Sequence, residues 1–227
     1  MAVAAARTVA IIFMHGLGDT PHGWSSIASM RFPGANRLLT DFGDRIQFVF
    51  PAAPVAPVTI NNGAQMPSWF DLTQWPIGVE GQLDDEAGLL QSVKSVHSEI
   101  DKLVKSGVPS SNIIVAGFSQ GGAIALLSTY RSDKKLLGCG VLSGWLTLRE
   151  DFASKLDASN AETPCFWGHG AQDPIVLHEQ KDVGVAALEA AGISVDHHSY
   201  PMQHESCAQE MGDFASWLHA RIESVLS

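Results

Sequence analysis

The stretch "NIIVAGFSQGGAIALL", residues 112–127, decides the fold. An apolar run of strand length stops at Gly117-Phe118-Ser119-Gln120-Gly121-Gly122 and resumes at once as another apolar run. A buried strand has no use for the polar Ser119, and a helix gains no stability from opening on glycines. A strand, a sharp turn and a buried helix reconcile the two. The glycines let neighbouring backbones come close to the turn, and the serine hydroxyl projects over the sheet edge above the N–H groups of the helix. The plainer alternative is an N-cap serine that merely opens a helix.

Outward from this turn, strand-like and helix-like runs alternate. "VAIIFMHG", "IQFVFPAAP", "LLGCGVLSGW", "PCFWGHG" and "VDHHSYP" are short apolar segments, mostly closed by Gly or Pro. "DDEAGLLQSVKSVHSEIDKLVKSG" puts Leu89, Leu90, Val93, Val96, Ile100, Leu103 and Val104 on one helical face, and Gly107 ends it. "AIALLSTYR", "VLHEQKDVGVAALEAAG" and "SCAQEMGDFASWLHARIESVL" read as further helices. Continuous apolar strands separated by helices imply an α/β fold with a mostly parallel central sheet and helices on both faces. Chemistry then belongs in the loops at the carboxyl ends of the strands. No repeat or linker interrupts the chain, so residues 1–227 are expected to form one domain.

One segment breaks the rhythm. Residues 51–86, "PAAPVAPVTINNGAQMPSWFDLTQWPIGVEGQLDDE", are rich in proline and carry Met66, Trp69, Phe70, Trp75 and Ile77. Connections of this length are functional covers or disordered, and the aromatics argue against disorder. Two readings stand: a mobile apolar lid, or an irregular loop packed on the core.

Composition narrows the function. The net charge of −10 argues against nucleic acid, and against an anionic membrane held by charge alone. The three cysteines, Cys139, Cys165 and Cys207, form no CxxC and fit a reducing compartment better than a disulfide framework. In the opening "MAVAAARTVAIIFMHG" the apolar part, Val9–Met14, is too short for a signal sequence and reads as the first strand. No stretch approaches the roughly 20 apolar residues of a membrane span. A cytoplasmic protein is the expectation. With no HExxH, no zinc-spaced Cys/His cluster, no GxGxxG and no Walker motif, neither metal nor cofactor is expected.

A serine nucleophile needs a base, and the base needs an orienting acid. After a strand–serine–helix turn the chain order is serine, acid, histidine. Asp173 in "CFWGHGAQDPIV" follows a short apolar strand in a loop before a helix, whereas Asp133, Asp151 and Asp157 lie in polar stretches and Asp182 and Asp213 inside helices. Of the six histidines after Ser119, His204 in "YPMQHESC" lies just past a strand and before the last helix. His197 and His198 fall within the strand, His219 is mid-helix, His178 begins a helix, and His169 sits too near its strand's end to reach back easily, with lining the site as its alternative role. Asp173 as an Asp-Pro turn residue and His204 as a plain loop histidine are the bland alternatives. An oxyanion needs two N–H donors: Gln120, next to the serine, and one from the loop after an early strand, for which Leu17 in "MHGLGD" is suited.

Taken together, "HGLGD", "MPSWFDL", "GFSQGGAIAL", "LSGWLTLR", "HGAQDPIV" and "YPMQHESC" resemble the acyl-protein thioesterase/lysophospholipase I branch of the α/β-hydrolases over nearly the whole chain. The resemblance implies an α/β-hydrolase fold, a triad of Ser119, Asp173 and His204, and an oxyanion hole at Leu17 and Gln120. It also implies hydrolysis of S-palmitoyl groups on proteins, with lysophospholipids or small esters as further substrates. Several such relatives carry an acylated N-terminal cysteine where this chain has Ala2. A long acyl chain needs an apolar channel, for which Met66, Trp69, Phe70, Trp75, Ile77 and Trp145 are the expected lining. An apolar lid would also allow transient membrane contact. Three functions follow: a depalmitoylating thioesterase, a carboxylesterase or lysophospholipase on small or lipid esters, or a ligand receptor on a hydrolase fold with little turnover.

Overall fold

The structure is a computed structural model that describes residues 8–29, 39–80 and 83–226. Ala2 lies outside the described residues, as do Gly81 and Gln82 of the proline-rich segment. The strands are β1 (Val9–Met14), β2 (Ile46–Val49), β3 (Val55–Val58), β4 (Ala64–Pro67), β5 (Ile113–Phe118), β6 (Gly138–Leu142), β7 (Cys165–Gly170) and β8 (Val195–Tyr200). The α-helices are α1 (Pro21–Ser25), α2 (Glu86–Lys105), α3 (Gln120–Tyr130), α4 (Phe152–Lys155), α5 (Glu179–Ala190) and α6 (Ala208–Leu226). Six strands pair in the order β2-β1-β5-β6-β7-β8, every pair parallel.

Both faces of the sheet are buried, which is why its strands read as continuous apolar runs. Along β1, Ala10, Ile12 and Met14 join the buried cluster that holds α2, α3 and α5 residues such as Leu89, Ile124 and Leu188. Val9, Ile11 and Phe13 join the opposite cluster with Phe214, Trp217 and Leu218 of α6. Strand β5 alternates in the same way, Ile113 and Val115 to the first cluster and Ile114 and Ala116 to the second. Helix α3 is buried along its whole length, so it needs no polar face. Helix α2 is amphipathic: Leu89, Val93, Val96, Ile100 and Leu103 are buried, and the Asp85 carboxylate caps its start by accepting from the Gly88 N–H at 3.0 Å. Its end closes through Gly107, whose φ of 103° suits only glycine.

The expected α/β architecture is borne out, and each of the six expected strands is present. The proline-rich segment is the difference. It contains an antiparallel hairpin, Val55 opposite Pro67 through Val58 opposite Ala64. Beyond the hairpin, the chain is tied down as a strap. Ile77 bridges Val176, with Ile77 N donating to Ile175 O at 2.7 Å and Leu177 N to Ile77 O at 3.0 Å. The Gly18 N–H donates to Pro67 O at 2.8 Å.

Candidate active site

Strand order reverses between β1 and β5: the chain leaves β1 for β2 on one side and later proceeds from β5 through β8 on the other. That switch point opens a crevice at the carboxyl ends of the strands. Leu17 follows β1, Ser119 follows β5, Asp173 follows β7 and His204 follows β8. The site is thus gathered from loops spread over nearly the whole chain.

Ser119 occupies the turn between β5 and α3 at φ 55° and ψ −122°, a conformation that L residues seldom adopt. Its N–H donates to Leu142 O of β6 at 2.9 Å, which holds the strained turn in place. The flanking glycines are sterically required. A Cβ at Gly117 would lie 2.4 Å from the Gly121 carbonyl oxygen, and one at Gly121 would lie 2.2 Å from Met14 O. This close approach seats the N-terminus of α3 on the end of β1.

The Ser119 Oγ lies 2.9 Å from His204 Nε2, and His204 Nδ1 lies 2.7 Å from Asp173 Oδ2. The other carboxylate oxygen, Asp173 Oδ1, accepts from the N–H groups of Ile175 and Val176, each at 2.9 Å. Burial alone would raise the Asp173 pKa. Hydrogen bonds from His204 and the two backbone N–H groups outweigh it and hold the carboxyl below its usual range. An ionised Asp173 accepts only, so His204 Nδ1 is the donor and Nε2 is left to accept the Ser119 hydroxyl proton. The Phe118 ring packs against His204 at 5.0 Å and Trp24 packs on Phe118 at 5.1 Å.

Behind Asp173 lies His169, fully buried. Its Nε2 is 2.8 Å from Val176 O and 3.4 Å from Asp173 Oδ2. Desolvation pushes its pKa down to about 4, so the ring is neutral at physiological pH and its Nε2–H donates to this acceptor pair. Gln120 is the first residue of α3, so its backbone N–H has no intrahelical partner. Its buried side chain clamps the strap, with Nε2 donating to Phe70 O at 2.7 Å and Oε1 accepting from Trp69 N at 3.1 Å.

A cavity of about 430 Å³ opens at Ser119 and His204, with Leu17, Trp24, Trp75, Phe118 and Ile175 among its lining and Asp19 and Glu205 supplying negative charge. A second, of about 300 Å³, is lined by Val79, Leu83, Trp145, Leu146 and Leu148 together with Asp84, Arg149 and Gln180.

The six residues expected to line an acyl channel do not form one surface. Trp69, Phe70 and Ile77 are core residues, at most 4% exposed. Trp69 Nε1 donates to His15 O at 2.8 Å, and Phe70 packs edge-on against Trp145 at 5.7 Å. Met66 is half-buried in the hairpin and accepts from Asn61 Nδ2 on its sulfur at 3.3 Å. Only Trp75, 38% exposed, lines the cavity at Ser119, and Trp145 lines the second cavity. The physical reason is the strap's hydrogen bonding: the anchors to Gln120 and Ile175 seat Trp69, Phe70 and Ile77 in the core and leave Trp75 at the cavity. Sequence reasoning missed Trp24, Phe118 and Ile175 as cavity residues. Phe118 and Ile175 had a signal in their nearness to Ser119 and Asp173; Trp24 had none.

One buried carboxyl in α6 sets a stability limit. Glu210 is fully buried, its carboxyl oxygens have no hydrogen-bond partner among the described residues, and a Cβ at Gly168 of β7 would lie 2.4 Å from Oε1. Desolvation raises its pKa to about 8. Between the ordinary carboxyl value of 4.5 and about 8 the unfolded chain ionises while the folded chain stays protonated, so stability falls as pH rises through this window. Glu210→Gln is therefore expected to raise the melting temperature at pH 8 by several degrees and to leave it nearly unchanged at pH 4. Thermal melts of both proteins across this range check the difference.

The parallel sheet covered on both faces, with its serine turn at the switch point, is that of an α/β-hydrolase. The Phospholipase/Carboxylesterase family profile matches residues 2–222, and the chain belongs to that family of hydrolases. Acyl-protein thioesterase 1 of Cryptococcus neoformans is 37% identical to it, over 94% of this chain and 92% of that protein. A probable carboxylesterase of Oryza sativa subsp. japonica is 37% identical, over 99% of this chain and 82% of the relative. The crystal structure of Arabidopsis thaliana SOBER1 superposes with a TM-score of 0.84 at 35% identity, covering 96% of this chain and all, 100%, of that one. Among the described residues no helix is long and apolar enough to cross a membrane.

Proposed function

We propose that the protein is a serine hydrolase that cleaves long-chain acyl thioesters, S-palmitoyl groups on proteins above all. The observation that carries this reading is the continuous hydrogen-bonded array from Ser119 through His204 to Asp173, open to an apolar-lined cavity. Relatives named acyl-protein thioesterase support the thioester as substrate class.

In this reading Ser119 Oγ attacks the acyl carbonyl carbon while His204 Nε2 takes its proton. The negative oxygen of the tetrahedral intermediate lies between the N–H groups of Leu17 and Gln120. The intermediate collapses, the C–S bond breaks, and the thiolate leaves with the proton from His204. Water then attacks the acyl-Ser119 ester with His204 again as base, freeing the fatty acid and restoring the serine. Asp173 keeps the imidazole in the Nδ1–H tautomer and stabilises the imidazolium of each step. The acyl chain starts in the cavity between Leu17, Trp24, Trp75 and Ile175.

A second reading is a carboxylesterase for short acyl groups. The burial of Trp69, Phe70 and Ile77 favours it, because these side chains are then unavailable to a long chain. Measuring kcat/KM for acetyl, octanoyl and palmitoyl substrates separates the two. Rising values with chain length support the thioesterase, and a maximum at acetyl supports the esterase. Substitutions sharpen the comparison. Trp75→Ala is expected to reduce kcat/KM for octanoyl and palmitoyl substrates by about 1–3 kcal/mol while sparing acetyl. Ile77→Ala is expected to lower stability by about 2–5 kcal/mol and to affect all chain lengths alike.

A further inference from the structure

We propose that His15, which no step above uses, is a positioning residue that aims the Leu17 N–H at the reacting oxygen. The inference rests on the Ser119 reading of the site and extends it to the residue behind the oxyanion loop.

His15 is 1% exposed, immediately after β1. The Ala53 N–H donates to its Nε2 at 3.2 Å. With Nε2 accepting, Nδ1 carries the hydrogen, and it points at Gly16 O, 2.8 Å away. The Asp19 N–H reaches the same carbonyl at 3.3 Å. Two donors thus hold the Gly16 carbonyl.

The peptide from Gly16 to Leu17 is trans, so its C=O and N–H point in opposite directions. Holding the Gly16 oxygen therefore fixes the direction of the Leu17 N–H. Leu17 and Gly16 line the cavity shared with Ser119, and a Cβ on Gly16 would lie 3.3 Å from the Ser119 Cβ. Without the imidazole, the longer bond from the Asp19 N–H would be left on the Gly16 carbonyl, and the peptide could rotate the Leu17 N–H away from the developing charge. His15 is itself immobilised. Its carbonyl accepts from Trp69 Nε1 at 2.8 Å and its ring packs on the Trp69 indole at 5.5 Å. Trp69, buried in the strap, thereby serves the chemistry without touching substrate.

Two substitutions separate positioning from packing. In asparagine the amide nitrogen is as many bonds from Cβ as imidazole Nδ1, so His15→Asn retains the donor to Gly16 O. In glutamine the amide reaches the place of Nε2, so His15→Gln retains the contact with Ala53 and loses that donor. The measurements are kcat and KM for a p-nitrophenyl acyl ester, inhibition by an alkyl trifluoromethyl ketone, and melting temperature. The ketone adds Ser119 Oγ and places an oxyanion where the intermediate does. His15→Gln is expected to lower kcat about 10²-fold with KM within twofold, and to weaken the ketone by a similar factor. His15→Asn is expected to recover at least tenfold of both. Unchanged kcat in His15→Gln, unchanged ketone affinity, or equal losses in both variants in proportion to melting temperature would overturn the inference. Ser119→Ala, measured alongside, keeps the two levels apart. If it retains turnover, the Ser119 reading falls and this inference with it. If it is inactive beside a fully active His15→Gln, this inference alone falls.

Discussion

Ser119→Ala is expected to lower kcat by about 10⁶-fold while the protein stays folded. The hydroxyl is the only atom of the array that can form the acyl intermediate, and nothing else at its position can replace it. Its loss is cheap for the fold. Alanine meets the same backbone strain at φ 55° as serine, and among the described residues the side chain's hydrogen bond is to His204. Removing that bond costs about 1 kcal/mol. The variant should also fail to react with a fluorophosphonate probe. Circular dichroism, melting temperature and thioester turnover test the expectation together. A folded variant that still turns over near the wild-type rate would remove Ser119 from the mechanism.

Asp173→Asn is expected to slow turnover about 10⁴-fold with little effect on KM. The reason lies in the backbone around the carboxylate. Ile175 N–H and Val176 N–H both point at Oδ1, so the asparagine oxygen must face them. The amide NH₂ is then directed at His204 Nδ1, which has to accept. His204 would carry its hydrogen on Nε2, facing the Ser119 hydroxyl with a donor where the reaction needs an acceptor. The same NH₂ would meet the Nε2–H of His169, so no reorientation satisfies all partners. The pH profile provides the check. In the wild type the Nε2 lone pair of a neutral imidazole takes the serine proton. Asp173→Asn should remain slow across the profile, whereas a variant that recovers at alkaline pH would show that Asp173 acts only through charge.

Much of the fold and the candidate site was legible along the chain, and the reasons are local. A strand buried on both faces has to be apolar throughout, so "VAIIFM" and "NIIVAGF" announce a parallel sheet. Gly117 and Gly121 announce the serine turn, because the contacts they make tolerate no Cβ. Asp173 and His204 stand out because strand-end loops are where such a fold gathers side chains. His15 carries no such signal, since a ring that serves by bonding its neighbour's carbonyl leaves no spacing to recognise. The proline-rich segment shows the limit more fully. Its composition suits a cover and a packed strap equally well. What separates them is whether Ile77 finds the backbone of Ile175 and Leu177, and whether Trp69 finds His15 and Gln120, residues 50 to 100 positions away in sequence. The sequence by itself determined the parallel sheet, the serine turn and the residues placed at strand ends, because burial and backbone sterics act over a few neighbouring positions. Only the tertiary structure decided that Trp69, Phe70 and Ile77 belong to the core and Trp75 to the cavity, because an apolar side chain gains equally from any dry surface and long-range backbone hydrogen bonds choose which one it meets.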